Sequence, residues 1–109
     1  MGDNTLDNLI QELRKGTLVL AVCSQLSTQH YGYSLVDTLQ KKGLDIDKNT
    51  LYPLLRRLEK QDILTATWDT KRARPRKYYQ LSTYGKKIYA SLKDEYHALH
   101  KVIKQLMGE

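Results

Sequence analysis

The chain has 109 residues, 40% of them apolar, and its 18 lysines and arginines against 12 acids leave a net charge of +6. That length supplies one hydrophobic core rather than two, and no apolar stretch approaches the ~18 residues that a membrane span needs. The positive balance calls for an acidic partner, with nucleic acid, acidic lipid and acidic protein all compatible.

The best apolar run, Leu18 to Cys23, is too short for a span and lacks the arrangement of a signal peptide. A Met1-Gly2 start invites a myristoylation check, which fails because Leu6 stands where Ser or Thr is required. The single cysteine, Cys23, excludes an internal disulfide and fits a reducing, cytoplasmic compartment.

Leu6, Leu9, Ile10 and Leu13 keep helical spacing and define a first helix, which Gly16 weakens without having to end it. Beyond it, Leu18, Val19, Leu20, Val22, Cys23 and Leu26 are apolar nearly all round and read as the central buried helix. Ser27 to His30 is the turn that follows. Tyr31-Gly32-Tyr33-Ser34 opens the next helix, with Leu35, Val36 and Leu39 inward and a stop at Lys41-Lys42-Gly43.

Leu51, Leu54, Leu55 and Leu58 then form one apolar stripe, opposite a face carrying Lys48, Asn49, Tyr52, Arg56 and Lys60. Asp47 is a good N-cap for this helix. With Asp47 as the cap, Pro53 lies beyond the first turn and removes one backbone hydrogen bond; with Asn49 it is tolerated more easily. Either choice predicts an irregular helix start.

Ile63 to Trp68 alternates, with Leu64, Ala66 and Trp68 on one face, and Tyr79 and Leu81 repeat the pattern. Between them lie Lys71, Arg72, Arg74, Arg76 and Lys77, a cationic hairpin tip without a balancing acid. Alternation with Leu81 turns Tyr79 inward and Tyr78 outward. Ser82 or Thr83 caps a final helix to about Met107, on which Tyr89, Leu92, Tyr96, Leu99, Ile103 and Leu106 form a heptad seam. At about 1.5 Å per residue that helix extends roughly 37 Å, more than the body can cover. Its distal seam predicts a homodimer.

The order helix, helix, helix, hairpin, with a helix at each end, predicts a mainly α (α+β) winged helix-turn-helix, with the hairpin as wing. Residues 1–82 would be the DNA-binding segment and 83–109 the dimerisation helix, in one compact unit.

Specific residues then resemble the PadR family of bacterial transcriptional regulators: Tyr31-Gly32-Tyr33, the run Thr50 to Glu59, Trp68, Arg74-Pro75-Arg76-Lys77-Tyr78-Tyr79, Leu81 and Gly85. The short C-terminal part is similar to the small members of the family. The chain departs from the usual pattern at Tyr31, where the family commonly has His, and at Asn49, Asp62 and Ala73, where it commonly has Gly. The resemblance implies a homodimeric DNA-binding repressor on a pseudo-palindromic operator, responsive to a small aromatic or lipophilic effector.

In that frame Lys48, Asn49 and Thr50 enter the major groove, Asn49 with the chemistry to read adenine. Tyr52 contacts a phosphate or a thymine methyl, and Arg56 the backbone. Lys71, Arg72, Arg74, Arg76 and Lys77 supply phosphate or minor-groove contacts. Tyr31, Tyr33 and Ser34 offer a phosphate seat at a helix N-terminus, although each tyrosine suits burial equally well. Tyr96, with Leu92 and Leu99, is the candidate effector contact on the seam.

His97 and His100 stand at i, i+3 without further metal ligands, so no metal or cofactor is expected. No nucleophile–base pair or phosphate loop points to an enzyme. The alternative is a winged-helix interaction module whose basic face binds an acidic protein or RNA.

Overall fold

A computed structural model describes residues 3–109; Met1 and Gly2, where the myristoylation check falls, lie outside the described residues. Its elements are α1 (Thr5–Lys15), α2 (Leu18–Ser24), β1 (His30–Tyr31), α3 (Gly32–Lys41), α4 (Lys48–Lys60), β2 (Leu64–Asp69), β3 (Arg76–Leu81) and α5 (Thr83–Leu106). This is a winged helix-turn-helix with a long terminal helix. The strands form one antiparallel sheet in the order β1-β3-β2.

The core is a single cluster. Val22, Cys23 and Leu26 from the central helix region meet Leu35 and Leu39 of α3, Leu51, Leu54, Leu55 and Leu58 of α4, and Leu64, Tyr79 and Leu81 of the hairpin. The four-leucine stripe of α4 is therefore wholly covered, as its spacing requires. Tyr79 turns inward and Tyr78 remains half-buried.

Local chemistry explains the element ends. Gly43 takes φ +100 beyond α3, and the Leu44 N–H closes on the Leu39 carbonyl at 2.9 Å, the glycine-terminated helix end of the Schellman type. Asp62 adopts φ +62 after α4, a left-handed conformation that aspartate tolerates better than most side chains. Ser82 caps α5 by accepting from the Gly85 N–H at 2.8 Å, and its hydroxyl donates to the Asp62 carbonyl at 2.6 Å. Gly85 is required by a close approach, since a Cβ there would stand 1.9 Å from the Ile63 carbonyl oxygen.

Gly16 ends a helix, a point that the spacing leaves open: α1 stops at Lys15, and α2 starts afresh at Leu18. Two expectations are corrected. The segment expected to be a turn through His30 contains the start of strand β1, whose His30 and Tyr31 pair with Tyr79 and Tyr78. Two residues are too few for alternation to register, and the pairing is made to a strand far along the chain. The α4 helix starts regularly at Lys48 and runs unbroken through Pro53. Trp68 lies on the same face as Leu64 and Ala66, as the alternation has it, and is 58% exposed because the hairpin projects beyond the core before reaching it.

The two ends of the chain are less covered. α1 buries none of its residues. On α5, Ile88 and Tyr89 pack against the core, whereas every residue from Ala90 onward is exposed.

Candidate nucleic-acid interface

Asp47 settles the start of α4. Its backbone is extended (φ −108, ψ 169), and its carboxylate accepts from the Thr50 N–H at 2.9 Å. Lys48, Asn49 and Thr50 thus form the first turn, exposed, with the positive end of the helix dipole beside them. Pro53 lacks the N–H that would otherwise close on the Asn49 carbonyl, so the exposed edge at Asn49 keeps an extra acceptor.

Tyr52 has a packing role that spacing alone does not reveal. Its half-buried ring lies across the start of α3, where a Cβ on Gly32 would approach Tyr52 Cε1 to 2.5 Å. Gly32 makes room for the ring, which in turn sets α4 against α3.

Beside this packing is a cleft of about 310 Å3, bordered by Tyr31, Tyr33, Tyr52, Arg56 and Arg76. Tyr31 is the residue before α3 and is held from two sides. The Arg76 guanidinium sits 4.4 Å above its ring centre, and Tyr78 meets it edge-on at 5.6 Å. Such stacking leaves the guanidinium edge available while fixing its plane. Tyr33 is fully outside, at 71% exposure. The Ser34 hydroxyl lies 3.2 Å from His30 Nδ1, so its partner belongs to β1, a strand too short for periodicity to signal.

The wing cations divide into two sets. The tip does have a balancing acid: Asp69 accepts from the Lys71 N–H at 3.1 Å and lies 3.5 Å from Arg72 Nε. Lys77 Nζ sits 2.7 Å from Glu59 Oε1 of α4, and that hydrogen-bonded carboxylate raises the ammonium above the ordinary lysine value. The side chains of Lys71 and Arg74 are exposed, and Arg76 is stacked on Tyr31. The Asp69 pair is within reach of an i, i+3 reading; the Glu59 pair joins separate elements and has no local signal.

The remaining candidate residues lie elsewhere. Leu92, Tyr96 and Leu99 line a largely apolar groove of about 630 Å3 between α5 and the Leu13–Leu20 region. Tyr96 stacks with His100 at 6.1 Å. Among the described residues no group of three His, Cys, Asp or Glu is placed to hold a metal ion, and no helix is long and apolar enough to cross a membrane.

A capped, cationic helix start beside a stacked arginine and a projecting basic hairpin defines the class: a winged-helix regulator. Comparison with known proteins makes this particular. The pattern of the transcriptional regulator PadR-like family matches residues 19–91, and the chain belongs to that family. It is similar to the crystal structure of a PadR family transcriptional regulator from Eggerthella lenta, with 41% identity and a TM-score of 0.90 over 96% of this chain and 94% of that one. A PadR-like transcription factor from Bacteroides fragilis is 29% identical with a TM-score of 0.76, covering 92% of this chain and 99% of that one. A PadR-like regulator from Bacillus cereus is 25% identical with a TM-score of 0.79, covering 90% of this chain and 98% of that one.

Proposed function

We propose that this PadR-family regulator is a homodimeric repressor that binds a pseudo-palindromic operator through α4 and the wing. The observation that carries the reading is the first turn of α4: Asp47 caps it, four buried leucines anchor the helix, and Lys48, Asn49 and Thr50 are left exposed beside the cationic wing. In this fold the N-terminal residues of the recognition helix reach base edges. Asn49 reads a base, Arg56 and Tyr33 approach the backbone, and Arg76 presents its guanidinium to a phosphate from the Tyr31 ring. Lys71, Arg72 and Arg74 add affinity through phosphates or the minor groove.

Residues 1–82 act as the DNA-binding segment and 83–109 as the dimerisation helix. Two uncovered stripes support a second copy: Leu6, Leu9 and Leu13 on α1, and Leu92, Tyr96, Leu99, Ile103 and Leu106 on α5. An isolated helix as short as α1 is marginal in water, so its stability depends on a surface that covers those leucines. The groove beside Leu92, Tyr96 and Leu99 is the seat of a small aromatic or lipophilic effector that releases the operator.

The test is a salt titration of binding to a duplex spanning the region upstream of the protein's own gene. Wild type should bind it in preference to random duplex, with affinity falling steeply as salt rises. Replacing Arg74 and Arg76 together by Ala should weaken all duplexes alike and flatten the logarithmic salt slope by about 2, roughly 1 for each phosphate no longer neutralised. Binding to RNA or an acidic protein without duplex preference contradicts the reading.

A further inference from the structure

The wing is attached to the body by apolar packing along only part of its length. On the inner face of the hairpin the cross-strand pairs are Leu64–Leu81, Ala66–Tyr79 and Trp68–Lys77. Leu64, Leu81 and Tyr79 are buried, whereas Trp68 is exposed. On this face apolar anchoring therefore ends at Tyr79, while on the other face Tyr78 and Arg76 pack against Tyr31; Trp68–Lys77 is the last inward-facing pair before the cationic tip.

What holds that last pair is a charge. Glu59, near the end of α4, receives Lys77 Nζ at 2.7 Å, and the same ammonium stands 5.3 Å from the Tyr79 ring centre and 5.9 Å from that of Trp68. Glu59 is the only acid in α4, where Lys48, Arg56, Arg57 and Lys60 are all positive. On a surface built for affinity to polyanions alone, this carboxylate is the wrong sign. Its value is geometric, because it joins the recognition helix directly to the base of the wing.

We propose that Glu59 is a positioning residue for sequence-selective binding. By holding Lys77 it sets the tilt of the wing against α4, so that the wing tip and the Lys48–Thr50 turn engage one duplex in one register. This inference rests on the DNA-binding reading above, and it assigns Lys77 to the tie rather than to a phosphate.

Charge and geometry make opposite predictions for Glu59→Gln. The variant gains one positive charge and loosens the hold on Lys77 by reducing an ion pair to a neutral hydrogen bond, so charge alone predicts tighter binding to every duplex. With the tie weakened, geometry predicts that random-duplex binding stays equal or tightens while a preferred duplex loses much of its advantage.

The experiment uses a duplex that the wild-type protein enriches from a random pool, and a random-sequence duplex of equal length at the same salt. Their Kd ratio is measured for wild type, for Glu59→Gln, and for the charge exchange Glu59→Lys with Lys77→Glu, which keeps the net charge. The ratio should fall about tenfold in Glu59→Gln, the scale of a single mismatched base pair, and recover in the exchange variant.

A second readout needs no DNA. Trp68 is the only tryptophan in the chain, so 5-fluorotryptophan reports on this pair alone. Its 19F resonance should shift and broaden in Glu59→Gln without collapse of the thermal transition, and return in the exchange variant. An unchanged resonance overturns the tie itself. An unchanged Kd ratio, with both duplexes bound more tightly, overturns the positioning role and makes Lys77 a phosphate ligand. Failure of wild type to enrich any sequence overturns the DNA-binding reading, and the inference falls with it, even where the resonance behaves as expected.

Discussion

Both α4 and α5 carry a stripe of leucines, but the chain covers only the first. Leu51, Leu55 and Leu58 are at most 1% exposed, whereas Leu99 and Leu106 are 60% and 77% exposed. The stripes look alike as spacing, since both repeat on one helical face. The difference lies in what reaches them: α4 is enclosed by α2, α3 and the hairpin, while α5 passes its last core packing at Tyr89 and runs on. A helical stripe reports that a surface must be covered, and the fold decides whether the cover is the same chain or a second one.

The junction between the two regions is where the largest effect is expected. Gly85→Val puts side-chain atoms into the Ile63 carbonyl, which α5 can avoid only by undocking. We expect a destabilisation of about 4 kcal/mol or more, seen as collapse of the thermal transition, with native-like stability as the result that breaks the docking of α5 at Ile63.

Within the covered stripe, Leu55→Ala should cost about 3 kcal/mol through reduced burial and the cavity left behind. That cost should appear in chemical denaturation at every protein concentration. On the uncovered stripe, Leu99→Glu should leave the helical content unchanged and shift the proposed dimer toward monomer in sedimentation, because a second copy seated there would bury a carboxylate without a partner. If Leu99→Glu remained fully dimeric at micromolar concentration, the second copy would not sit on that face.

Asp47→Ala removes the cap of α4 and should cost about 1 kcal/mol in denaturant unfolding. The smallest effect concerns Cys23, where burial pushes the thiol up from 9.0 to about 11. The folded state keeps its proton longer than the unfolded chain does. The associated stability is therefore present below pH 9 and declines as pH rises toward 11. At neutral pH a thiol reagent should modify Cys23 only when denaturant is added; rapid labelling of the folded protein would contradict its burial.

Much of the frame is legible in the sequence because its causes are local. The caps narrow to Asp47 or Asn49 and to Ser82 or Thr83, Gly43 marks the end of α3, and alternation assigns Tyr79 to the core. The rest depends on residues brought together by folding. Strand β1 exists only because β3 lies beside it, and Tyr52 packs on Gly32 across two helices. The stacking of Arg76 on Tyr31 and the Glu59–Lys77 pair likewise join distant positions. Together with the Asp69–Arg72 pair, those two interactions divide the wing cations into a held set and an open set, which a run of basic letters cannot express.

The most direct test is selection of duplexes from a random pool by the intact protein, followed by the same selection with an Asn49→Ala variant. Enriched sequences should be inverted repeats with half-sites about 10 bp apart, and the variant should keep that spacing while relaxing the preference within each half-site. Enrichment of single, unrepeated sites, or an identical preference with and without Asn49, would contradict a dimer that reads its operator through the first turn of α4.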